Sequence, residues 1–116
     1  MLNGWSEIFT DALLDEAEAL LEAAAAQVAD APQRYRDRVA LVHWGLTYTR
    51  LKLDNIDLMR RYRDSDRRDA AAADQVRANW ARILSMRQQF PSIKRWPWMR
   101  NPEVRPHWRG WHPDNL

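Results

Sequence analysis

The stretch that decides the fold is Val39-Ala40-Leu41-Val42-His43-Trp44-Gly45-Leu46-Thr47-Tyr48-Thr49-Arg50-Leu51-Lys52-Leu53-Asp54-Asn55-Ile56-Asp57-Leu58. Apolar side chains recur through it at helical spacing along two rows. One row runs from Tyr35 through Val39, Val42, Leu46, Thr49 and Leu53 to Ile56. The other runs from Leu41 through Trp44, Tyr48, Leu51 and Leu58 to Tyr62. Two rows on different sides predict a helix covered on more than one face, at the centre of its domain. The remaining stripe is polar: Arg36, His43, Thr47, Arg50, Asp54, Asp57 and Arg61. The predicted helix covers about 32–63. Gly45 inside it costs about 1 kcal/mol relative to alanine, and close packing beside Trp44 is the expected compensation.

Working outward, a first helix is predicted over about 11–29. Thr10 is a good N-cap, Asp11 complements the helix dipole, and Phe9 with Leu14 occupies the positions of a hydrophobic staple. Leu13, Ala17, Leu20, Ala24 and Val28 recur at helical spacing, with Leu14 and Leu21 beside them. Asp30 and Gln33 have the spacing of a capping box, with Pro32 tolerated in a first turn. A third helix is predicted over about 68–89, its inward row being Ala73, Val76, Trp80, Ile83, Arg87 and Phe90, with Leu84 alongside. Pro91 stops it, because proline lacks the N–H and clashes with the preceding turn. Short connections make consecutive helices antiparallel neighbours. The expected fold is all-α: an antiparallel three-helix bundle over 1–90, followed by an extended Trp/Pro/Arg-rich tail over 91–116. No period-2 strand pattern and no internal repeat is present.

Composition narrows the chemistry. With 116 residues and an apolar fraction of 46%, the chain is long and apolar enough for one core. It has no cysteine, which removes disulfides, thiol catalysis and cysteine zinc sites. No apolar run approaches the roughly 18 residues that a membrane span needs. The net charge of +2 conceals an asymmetry. Residues 1–33 carry seven acids and no Lys or Arg. The remainder carries eighteen bases and nine acids, a net +9. Opposite fields of this kind favour docking of the first helix on its neighbours. Acids interleaved with the arginines argue against a dedicated nucleic-acid face.

No constellation reads as a reaction centre. His43 lies on the polar stripe with no His or Glu at i+3 or i+4, so it reads as a surface histidine. His107, His112 and Asp114 share the tail without a spacing that fixes metal geometry, so no metal or cofactor is expected. The carboxylate sets Asp54 with Asp57, and Asp15 with Glu18 and Glu22, each lie on one helix face. Acid–base work needs carboxyls across a cleft, so these read as solvated surface. No nucleophile elbow, P-loop or dinucleotide fingerprint occurs. The chain is expected not to be an enzyme in its own right. The candidate binding residues are in the tail: Trp96, Trp98, Arg100, Arg105, Trp108, Arg109 and Trp111. Their rings pack back on the bundle, bury against another domain, or meet a ligand. That ligand would be a glycan, with C–H faces for tryptophan, or single-stranded nucleic acid, with bases to stack and phosphates for arginine. Packing is favoured, because large aromatics owe their position to burial.

Leu14-Asp15-Glu16-Ala17-Glu18-Ala19-Leu20-Leu21-Glu22-Ala23-Ala24 is followed by Tyr35-Arg36-Asp37-Arg38-Val39-Ala40-Leu41-Val42 and by Leu46-Thr47-Tyr48-Thr49-Arg50-Leu51. This succession, over residues 10–63, resembles the helical C-terminal region of large bacterial glycoside-hydrolase-like proteins, those with an α-glucuronidase-like or hexosaminidase-like TIM barrel. The resemblance implies a scaffold beside a carbohydrate-active domain, with a TIM-barrel glycoside hydrolase as protein partner. The catalytic carboxylates of such proteins belong to the barrel, so no catalytic residue transfers. As part of such a protein the chain would be exported; as a complete protein it would be cytoplasmic, having no basic start or apolar leader at Met1–Glu7.

Overall fold

The computed structural model describes residues 7–89 together with Pro113 and Leu116. Within them the chain is all-α, with α1 over Asp11–Gln27, α2 over Gln33–Asp64 and α3 over Ala70–Gln89. Helix α1 packs on α2, and α2 on α3. The expected helices are present to within two residues at each end. The tail expected after residue 90 lies outside the described residues. No described helix is long and apolar enough to cross a membrane.

The chain divides into two compact units, Met1–Arg50 and Leu51–Leu116, the boundary falling inside α2. In the first unit, Thr10 caps α1 as expected. Its backbone is extended (φ −70°, ψ 157°), and its Oγ1 accepts the Leu13 N–H at 3.2 Å. Leu14, the inner half of the staple, is 5% exposed and is the only buried residue of α1. The Asp30–Gln33 spacing does not act as a capping box. Helix α2 opens at Gln33, which puts Pro32 at the cap position, and the Gln33 side-chain amide donates to Asp37 Oδ1 at 2.7 Å. Helices α1 and α2 run antiparallel. Glu18 meets His43, and three residues earlier on α1, Asp15 meets Arg50, seven residues later on α2.

The second unit buries more side chains than the first, where Leu14 and Trp44 are the buried ones among the described residues. Leu51, Ile56 and Met59 of α2 are buried, as are Ala72, Ala73, Val76 and Ile83 of α3. Full burial of each larger aliphatic side chain contributes roughly 1.5–3 kcal/mol, and the alanines let the backbones approach closely. The α2–α3 connection is held by backbone bonds in a Schellman arrangement: Arg67 N–H to Tyr62 O at 2.9 Å and Asp66 N–H to Arg63 O at 3.0 Å. Asp66 and Arg67 both sit in the left-handed region (φ 57° and 63°), where glycine is the usual occupant. Ser65 Oγ accepts from the Arg68 and Asp69 N–H groups and donates to Tyr62 O. Asp69 Oδ1 then accepts the Ala72 N–H at 3.0 Å, capping α3.

The expected apolar rows need correcting. On α1, Leu13 and Leu20 are 45% and 66% exposed; on α2, Tyr35 and Val42 are 39% and 59% exposed. The first unit therefore leaves outside several side chains that spacing alone places inward. Trp80 is half-buried, and Leu84 is exposed. The expected close approach at Gly45 is absent: a Cβ there would meet nothing within 4 Å.

Candidate interaction surface

The seven candidate binding residues, Trp96, Trp98, Arg100, Arg105, Trp108, Arg109 and Trp111, lie outside the described residues. So do His107, His112 and Asp114. What the structure places is the polar chemistry of the helices.

His43 is not a free-standing surface histidine. Its Nε2 lies 2.5 Å from Glu18 Oε1, with both side chains about one-third exposed. Arg50 donates to Asp15 Oδ1 at 2.9 Å. The carboxylates of Asp15 and Glu18, read from the sequence as solvated surface, tie α1 to α2 in the first unit. Asp57 stays local, 4.0 Å from Arg60 one turn away. Asp74 and Arg77 form a similar pair within α3. Arg61 bonds Asp69 across the α2–α3 connection at 3.3 Å. Among the described residues, no three His, Asp or Glu side chains come together to hold a metal ion.

In the second unit, an amide ladder runs through the apolar interior. Gln75 Nε2 donates to Asn79 Oδ1 at 2.8 Å, Asn79 Nδ2 donates to Asn55 Oδ1 at 2.9 Å, and Asn55 Nδ2 donates to Val76 O at 3.4 Å. Asn55 is fully buried and Asn79 nearly so. Buried amides of this kind are retained when their partners are in place. The signal was present in the sequence: Asn79 stands three residues after Val76 and four before Ile83, on an inward row.

Burial also acts on two titratable groups. It raises the Tyr48 phenol above its ordinary range, because the ionised ring oxygen would lose solvation. It lowers the Lys52 ammonium for the same reason with opposite sign. The Tyr48 ring stacks on Trp44 with centroids 5.3 Å apart. At the start of α2, Tyr35 carries the guanidinium groups of Arg34 and Arg38 over its ring, at 4.8 and 5.8 Å. Compared with known families, curated proteins and solved structures, the chain finds no match in any of the three.

The described surface thus offers two features that could engage a partner. One is the exposed apolar set Leu13, Leu20, Tyr35 and Val42. The other is the set of charges beside it, acidic on α1 and basic at the opening of α2.

Proposed function

We propose that this chain is a non-catalytic helical scaffold, an interaction domain that associates with a carbohydrate-active protein of glycoside-hydrolase type. The observation that carries the reading is what the bundle does with its ionisable groups. Glu18, His43, Asp15 and Arg50 hold one helix to the next, and Arg61 and Asp69 hold a turn. These pairs fix the alignment of neighbouring elements and converge on no reaction centre among the described residues. Contact with a partner then falls to the indoles Trp96, Trp98, Trp108 and Trp111, with Arg100, Arg105 and Arg109 around them. Large rings flanked by guanidinium groups supply the buried anchors on which protein interfaces depend.

The test is a titration of the full chain with a TIM-barrel glycoside hydrolase, read by tryptophan emission and by co-elution. A saturating blue shift with a stable complex supports the reading. An unchanged spectrum and separate elution overturn it. Binding to single-stranded oligonucleotides that weakens steeply with salt would assign the tail to nucleic acid instead. Binding to oligosaccharides that survives high salt and is lost in Trp98→Ala or Trp108→Ala would make it a glycan-binding module.

A further inference from the structure

We infer that the outward row of the α1–α2 hairpin, Leu13, Glu16 and Leu20 on α1 with Tyr35, Arg38 and Val42 on α2, docks against the same row of a second copy of this chain. All six side chains are exposed. The two halves have one pattern. On α1 the order is apolar, acid, apolar at steps of three and four; on α2 it is apolar, base, apolar at the same steps. At about 100° per residue, three residues with these steps stay within roughly 60° on one helix flank. Three-and-four spacing is that of a helix seam which buries itself against another helix.

The ties within the hairpin use a different part of α1. Asp15 and Glu18, which bond Arg50 and His43, lie about 140–200° around α1 from Leu13. On α2, His43 and Arg50 lie about 60–140° from Tyr35, Arg38 and Val42, so the ties and the exposed row use different parts of both helices. Charge selects the occupant of the exposed row. Helix α1 carries no base, whereas α2 opens with Arg34, Arg36 and Arg38. A surface with the acidic and the basic member of a pair at equal spacing is complementary to itself. A two-fold axis then sets Glu16 of one copy against Arg38 of the other, and repeats the contact by symmetry. Two hairpins joined this way cover Leu13, Leu20, Tyr35 and Val42 of both copies. Exposed alanines at positions 12, 19 and 23 leave α1 thin enough for a second helix to come close.

Sedimentation velocity on the full chain tests this over about 1–300 μM, a range that spans weak and moderate self-association. The 13.8 kDa species is expected to convert to one of twice that mass as concentration rises. Glu16→Arg alone, and Arg38→Glu alone, each place like charges opposite one another twice, and each should weaken association about tenfold or more. An equimolar mixture of the two variants should recover it, because each then meets its opposite. Recovery also shows that both variants are folded. Leu20→Ser should weaken association without changing the helical circular dichroism. A single 13.8 kDa species at every concentration overturns the inference. So does a dimer indifferent to both charge reversals, or a monomer that takes up a basic amphipathic peptide at this row. The inference uses residues 13–42 alone, so its failure leaves the reading of the tail untouched.

Discussion

In the unit ending at Arg50, α1 and α2 meet through the side-chain bonds Asp15–Arg50 and Glu18–His43 at their margin, with Leu14 of α1 and Trp44 of α2 buried and several large apolar side chains left outside. Between Leu51 and Gln89, α2 and α3 meet through a close-packed apolar interior threaded by hydrogen-bonded amides. The same helix, α2, takes part in both. The difference teaches that helical periodicity is not itself a measure of burial. The second unit holds most of the buried aliphatic side chains, while the first leaves more of its apolar side chains exposed.

The largest effect that can break this contrast comes from truncating the second interior. Met59→Ala removes a side chain that is 2% exposed and should cost about 3 kcal/mol in denaturant unfolding. Leu20→Ala, at an exposed position, should cost less than about 0.5 kcal/mol in the monomer. Equal losses would refute the contrast. The amide ladder comes next. Asn79→Leu removes the donor that Asn79 offers the buried Asn55 carbonyl and should cost about 1–3 kcal/mol, whereas replacing both asparagines with leucine should recover most of that loss. A double-mutant cycle measures the coupling; additive losses would mean the two amides act separately.

The ties of the first unit should be weaker. His43→Ala or Arg50→Ala is expected to cost up to about 1 kcal/mol, because both pairs remain partly solvated. Hydrogen exchange sharpens this: amides of α1 should lose protection in either variant while those of α3 keep theirs. An equal loss in α3 would show that the two units do not differ in this way. The smallest effect belongs to the α2–α3 turn. Asp66→Gly relieves a left-handed backbone and should raise stability by a few tenths of a kcal/mol, since the greater freedom of unfolded glycine offsets part of the gain. A lower melting temperature would mean that the Asp66 side chain contributes more than its backbone costs.

Much of the fold was legible in the sequence. Thr10 and Asp11 marked the start of α1, the long double row marked α2, and Ala73, Val76 and Ile83 marked the inner face of α3. What hydropathy does not encode is which of several apolar rows has a neighbour. Leu13, Leu20 and Val42 fit an inward row as well as Leu14 and Leu51 do, and only packing separates them. The α2–α3 turn carries no sequence mark of its backbone, because left-handed residues are signalled by glycine and here they are Asp66 and Arg67. His43 and Glu18 lie 25 positions apart, beyond what spacing along one helix can connect. Asn55 and Asn79 carry no hydropathy signal of burial, because a carboxamide ranks with the exterior whether or not the fold gives it a partner.

That asparagine pair has a consequence for how the chain reaches one native alignment. Aliphatic faces tolerate sliding, since one leucine contact much resembles the next. If α3 were displaced along α2 by one turn, the bonds of Asn55 to Asn79 and to the Val76 carbonyl would break, and near-miss packings would rise in energy together. The pair works as an indexing tooth, admitting a single setting of one helix along the other.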